Sequence, residues 1–166
     1  MPNTRVRLET SLGAITIELF DDDCPVTVEN FLEYVRSGFY DGTIFHRVIP
    51  GFVAQGGGML PGMEQKKTRP PIANEAAKAP PNKRGTLAMA RTQDPNSATS
   101  QFYINLSDNR SLDYSGQRNA GYCAFARVSE GMEVVDAIAG KPTRRHPPYD
   151  DVPTEDIVLK SAVVLV

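Results

Sequence analysis

The 166-residue chain has no tryptophan, only two histidines and two cysteines, and no long apolar run. No window approaches the ~20 apolar residues of a membrane span. The amino terminus, Met1-Pro2-Asn3-Thr4-Arg5-Val6-Arg7, lacks the apolar core of a secretory signal, so a cytoplasmic protein without membrane contact is expected. Cys24, Cys123, His46 and His146 are dispersed, with no CxxC and no ligand spacing, which argues against a metal site. Two cysteines so far apart in sequence suit reduced, partly buried thiols better than a disulfide framework. Eighteen basic residues against 20 acidic ones leave a net charge of −2 and no basic run, so no nucleic-acid partner is expected.

Turn-forming residues are what the chain has in excess. Thirteen prolines and 13 glycines make about one residue in six a chain punctuator, yet 40% hydrophobic content is far from the composition of disorder. The length fits one domain over residues 1–166. Val6 and Leu8, then Ile15, Ile17 and Leu19, alternate with polar or small residues around Ser11-Leu12-Gly13, which predicts a β-hairpin. Pro25 opens a helix over 25–37, with Val28, Phe31, Leu32 and Val35 on one face. Asp21, Asp22 and Asp23 precede it and suit its positive end.

Short apolar runs at Thr43–Val48, Phe52–Gln55, Thr86–Ala90, Ser100–Asn105 and Cys123–Val128 read as strands, and Met132, Val135 and Ile138 place a second helix over 131–139. The tail from Ile157 to Val166 alternates but is apolar on both faces, as a buried strand would be. This order is mainly β, without regular βαβ alternation, and points to a closed or nearly closed antiparallel sheet, because closure removes exposed edges. Gly56 to Gly85 has almost no periodicity and five prolines, so a structureless loop there is either an error in the reading or a functional surface. Gln55-Gly56-Gly57-Gly58 has neither the sequence nor the setting of a phosphate loop and reads as a tight turn where the backbone passes close to itself.

Two runs interleave arginine, glutamine and aromatics: FHRVIPGFVAQGGG from Phe45, and GTLAMARTQDPNSATSQFYIN from Gly85. Both closely resemble the signature runs of the cyclophilin family of peptidyl-prolyl cis-trans isomerases, above all its bacterial cytosolic branch. The likeness covers nearly the whole chain, including PVTVENFLEYVRSGFYDGTIFHRV and GYCAFARVSEGMEVVDAI. It implies a closed eight-stranded antiparallel β-barrel capped by two α-helices.

The resemblance puts the catalytic arginine at Arg47, beside His46, with Gln55 either orienting it or holding the rotating carbonyl. It assigns the proline pocket to Phe52, Val53, Tyr103 and Leu112, with Tyr122 at the rim. Gln55 and Gln101 become polar substrate contacts, and Ala90 and Arg91 sources of backbone hydrogen bonds. Tyr103 stands where phenylalanine is usual, so its hydroxyl needs a partner or water, and Val53 stands where methionine is common in eukaryotic relatives. Ser111 replaces a frequent tryptophan, which weakens the expected hold on a cyclosporin-type cyclic peptide. The implied substrates are proline-containing peptides and unfolded or flexible protein segments, met by a monomer that assists folding. Rotation about an X–Pro bond breaks no covalent bond, so no nucleophile, metal or cofactor is required. The alternatives are a non-catalytic proline-peptide or chaperone-like module on the same groove and, at a distance, a hydrolase using Ser100 or Cys123, which lacks a GxSxG-like elbow.

Overall fold

The computed structural model describes residues 3–116 and 118–165. Strands β1 (Arg5–Thr10) and β2 (Gly13–Leu19) form the expected hairpin, in register from Arg5 opposite Glu18 to Thr10 opposite Gly13. Their alternate residues Val6, Leu8, Ile15, Ile17 and Leu19 are fully buried. Each contributes about 1.5–3 kcal/mol by leaving water. Helix α1 (Pro25–Arg36) follows, then β3 (Thr43–Ile49), β4 (Val53–Leu60), β5 (Glu64–Gln65), β6 (Thr86–Met89) and β7 (Phe102–Asn105). A 3-10 turn (Arg110–Leu112) leads to β8 (Ala124–Glu130), α2 (Met132–Ala139), β9 (Thr143–His146), β10 (Tyr149–Pro153) and β11 (Val158–Leu165).

The strands pair in the order β3-β11-β1-β2-β8-β6-β7-β4, and β4 pairs back onto β3, so eight antiparallel strands close a barrel as expected. Phe31 of α1 enters its interior, 4.9 Å from Phe125 and edge-on to Phe102 at 5.8 Å. Val135 and Ile138 of α2 join the same core.

Three local expectations need correction, and one hairpin is new. Gly56, Gly57 and Gly58 lie inside β4 rather than in a turn. Their lack of side chains makes room for neighbours: a Cβ on Gly58 would sit 2.5 Å from Gln101 Cγ, and one on Gly57 (φ +91°) 2.8 Å from the Phe102 ring. Asp21 does not serve the start of α1 but accepts bonds from the Thr4 amide (3.1 Å) and hydroxyl (2.6 Å). Glu75, from a distant loop, instead receives the Val26 and Thr27 amides (3.3 and 2.6 Å) and the Thr27 hydroxyl (2.7 Å), supplying the negative charge the helix start favours.

The tail is not buried on both faces either. Lys160 bulges between the Glu9–Ser161 and Thr10–Leu159 pairs, so Leu159 and Ala162 turn inward while Val163 is exposed; Val166, assigned to this strand from sequence, lies outside the described residues. Finally, β9 and β10 form a separate hairpin that the sequence did not suggest, because its residues are largely polar on both faces.

Candidate active site

Period two places the site on the outside of the barrel. On β7, Phe102 and Ile104 point into the core while Tyr103 belongs to a second apolar cluster with Val53, Ala88 and Ala124. Phe52, Ala90, Leu112 and Tyr122 pack around that cluster. They surround a cavity of about 140 Å³ whose lining also includes Arg47, Gln55 and Arg91. Nine of the eleven residues assigned from sequence therefore meet at one cavity. Ser111 is exposed and does not line it.

The other two residues stand beside it. Gln55 is opposite Arg47 in the β3–β4 register and opposite Tyr103 in the β4–β7 register, so sheet pairing alone brings cation, amide and ring together. Arg47 Nη1 donates to Gln55 Oε1 at 3.3 Å, and Gln55 Nε2 donates to Gln101 Oε1 at 2.9 Å. Gln101 and His46 line an adjoining cavity of about 470 Å³, which Arg47 and Gln55 separate from the apolar one. The β9–β10 hairpin closes its far side with Tyr149, Asp150 and Asp151.

His46 is buried (5% exposed), and its Nδ1 has no hydrogen-bond partner among the described residues. Burial, helped by the neighbouring Arg47 charge, lowers its pKa to about 4. The imidazole is therefore neutral near pH 7, and Arg47 stands as a cation without a second positive ring beside it. Ser100 is fully buried and Cys123 nearly so, which leaves neither poised as a hydrolytic nucleophile.

The Tyr103 hydroxyl finds its partner in a residue that sequence reasoning missed. It donates to Asn82 Oδ1 at 3.0 Å, and burial raises its pKa well above that of a free phenol. Asn82 is itself buried and also accepts from Asn105 Nδ2 (3.1 Å). Its Nδ2 donates to the carbonyls of Leu112 (3.3 Å) and Tyr122 (3.1 Å) and to Asp113 Oδ1 (3.1 Å). One side chain thus ties the cavity floor, Tyr103, to two residues of its rim. On the same rim, the Arg91 guanidinium lies 4.2 Å from the Tyr122 ring centroid and donates to the Gly121 carbonyl at 2.8 Å. An apolar slot flanked by an exposed, hydrogen-bonded arginine can hold a small ring and polarise an amide next to it.

Comparison with known proteins agrees with this geometry. The family model "Cyclophilin type peptidyl-prolyl cis-trans isomerase/CLD" matches residues 5–164. The chain is 55% identical to peptidyl-prolyl cis-trans isomerase B of Escherichia coli over 161 residues, covering 96% of this chain and 98% of the relative. It is 53% identical to peptidyl-prolyl cis-trans isomerase cyp18 of Streptomyces antibioticus, with the same coverage. A crystal structure of a cyclophilin type isomerase from Cryptosporidium parvum, in the presence of the dipeptide Ala-Pro, matches with TM-score 0.79 and 30% identity over 98% of this chain and 99% of that one. The chain belongs to the cyclophilin-type peptidyl-prolyl cis-trans isomerases and is an enzyme that speeds rotation about X–Pro peptide bonds.

Proposed function

We propose that Arg47 is the group that stabilises the twisted amide, with the proline ring seated among Phe52, Val53, Tyr103 and Leu112. The carrying observation is the Arg47–Gln55 hydrogen bond at the mouth of an apolar cavity. A planar X–Pro amide resists rotation by ~18–20 kcal/mol because its nitrogen lone pair is delocalised. At the orthogonal geometry that lone pair localises and the nitrogen becomes a real acceptor. A guanidinium donor aimed there favours the transition state over either planar ground state, which is what catalysis requires. Gln55 orients the guanidinium, and Gln101 holds Gln55.

The extended substrate backbone lies along Ala90 and Arg91. The Ala90 amide already donates to the Gln101 carbonyl at 3.0 Å, so it is the Ala90 carbonyl that serves the peptide. Substrates are proline-containing segments of unfolded or flexible proteins, and the protein assists their folding as a single-domain cytoplasmic monomer. A family match running unbroken through residues 5–164 supports the single domain, and the Ala-Pro dipeptide in the Cryptosporidium parvum crystals supports the substrate class. With Ser111 in place of a large ring, a cyclosporin-type cyclic peptide binds weakly.

If the charge-assisted bond contributes about 3 kcal/mol in the transition state, Arg47→Ala lowers kcat/KM by roughly two powers of ten. The measurement is a protease-free assay of a proline peptide, read by NMR exchange so that binding and turnover are seen in one sample. Retention of kcat/KM within threefold of wild type would overturn the role given to Arg47.

A further inference from the structure

The two cysteines of the chain are 99 residues apart in sequence, yet their sulfurs are 3.4 Å apart. Both are free thiols; Cys24 is fully buried and Cys123 is 4% exposed. They occupy structurally pointed positions. Cys24 is the residue before the first turn of α1, and Cys123 lies between Tyr122 at the groove rim and Ala124 beneath its floor. Cys24 donates to the Ala124 carbonyl at 3.5 Å, and the Thr27 hydroxyl is 3.5 Å from Cys123 Sγ. The chain thus places both of its thiols in contact with one another.

We propose that Cys24 and Cys123 are a reversible oxidation site, forming an intramolecular disulfide that ties the start of α1 to the strand behind the proline groove. A disulfide needs a separation of ~2.05 Å, so the sulfurs must close by about 1.4 Å, a displacement within reach of side-chain rotation and slight backbone adjustment. Cys123 is the thiol that meets the oxidant. It lines a narrow cleft of about 10 Å³ with Ile72, Asn74 and Arg91, room for about one water, so the oxidant reaches it as these walls move apart. Cys123 lines this cleft whereas Cys24 is fully buried behind it, which assigns attack to Cys123 and resolution to Cys24.

The oxidant is hydrogen peroxide. The Cys123 thiolate attacks one peroxide oxygen, the O–O bond breaks, and hydroxide leaves and takes up a proton. The resulting sulfenic acid is attacked at sulfur by Cys24, which expels water and closes the S–S bond. Two thiols lose two electrons and two protons, and one peroxide becomes two waters. The effect on turnover rests on the groove assignment above: drawing Cys123 inward shifts Tyr122 and Ala124 on either side of it, and kcat/KM falls at least threefold.

The test treats the intact protein with hydrogen peroxide and reads mass without reductant. The expected product is a monomer lighter by two hydrogens, with the Cys24 and Cys123 peptides joined and both thiols recovered on adding dithiothreitol. Cys24→Ser instead stops at a sulfenic acid, read as a gain of one oxygen on the Cys123 peptide that dithiothreitol reverses, and Cys123→Ser takes up nothing. Two titratable thiols remaining after peroxide, or a disulfide between two chains, overturns the site. A disulfide that leaves kcat/KM unchanged overturns its coupling to the groove. Because activity is measured first on the reduced protein, an inactive starting enzyme is distinguishable from both.

Discussion

Replacing Asn82 by alanine removes a side chain that holds the cavity floor and rim together, and the cost can be worked group by group. Asn105 Nδ2 keeps the Thr86 hydroxyl at 2.9 Å, and Asp113 keeps the Asn82 amide at 2.6 Å, so neither is stranded. The Leu112 carbonyl keeps the Tyr122 amide at 2.8 Å. The Tyr103 hydroxyl and the Tyr122 carbonyl lose the bonds described for them, and an unsatisfied buried polar group costs about 1–3 kcal/mol. The expected destabilisation is therefore about 2–6 kcal/mol, or a fall in Tm of roughly 5–15 °C for a domain of this size. Adding Tyr103→Phe removes one of the two stranded groups. The double variant should then recover about 1–2 kcal/mol relative to the sum of the singles, while Tyr103→Phe alone loses little stability and keeps its kcat/KM. Urea denaturation of the four proteins supplies the cycle. Strict additivity would falsify the claim that Asn82 acts through the tyrosine hydroxyl.

Two further changes probe the polar side of the site. Gly58→Ala places a Cβ against Gln101, which must move and release Gln55; losing that bond costs about 1.4 kcal/mol and lowers kcat/KM roughly tenfold, with unchanged circular dichroism. Wild-type activity in this variant would remove Gln101 from the positioning of Gln55. His46 carries a pH signature of definite sign: its folded pKa, about 4, lies below the ordinary 6.5, so the unfolded chain takes up the proton first. The stability is fully present above pH 6.5 and is lost as pH falls towards 4, by roughly 3 kcal/mol at ~1.4 kcal/mol for each pH unit. Urea midpoints at pH 7.5 and 4.5 should therefore fall more steeply for wild type than for His46→Gln, and equal slopes would refute the assignment.

What could be read from the sequence followed from side-chain periodicity. Val6, Leu8, Ile15 and Ile17 announce a hairpin, and Val28, Phe31, Leu32 and Val35 announce a helix, because one face of each meets the core. Where that signal is absent, the sequence is mute. Gly56 to Gly58 carry no side chains to alternate, and their reason for being small lies in Gln101 and Phe102, over 40 positions away. The β9–β10 hairpin packs outside the barrel, so Arg144, Arg145 and Asp150 have no apolar pattern to keep. The site residues were legible through the family's signature runs, but the structural reason for their meeting is the register that sets Gln55 opposite both Arg47 and Tyr103. Asn82 follows two prolines and reads as an ordinary turn residue; its importance resides in partners at 103, 105, 112, 113 and 122, which only the fold assembles.

The bond from Arg47 to Gln55 has a directional consequence. A guanidinium has donors only, so the Gln55 side chain must turn its oxygen towards Arg47 and its nitrogen towards Gln101. Gln101 must in turn present its own oxygen inward, which leaves its amino group pointing away from the arginine. The polarity of both amides is thus dictated by a residue that can donate but not accept a hydrogen bond, and it propagates outward as a row of N–H groups. A peptide lying across this row meets donors, so its carbonyl oxygens, rather than its amides, decide how it is threaded past the cation.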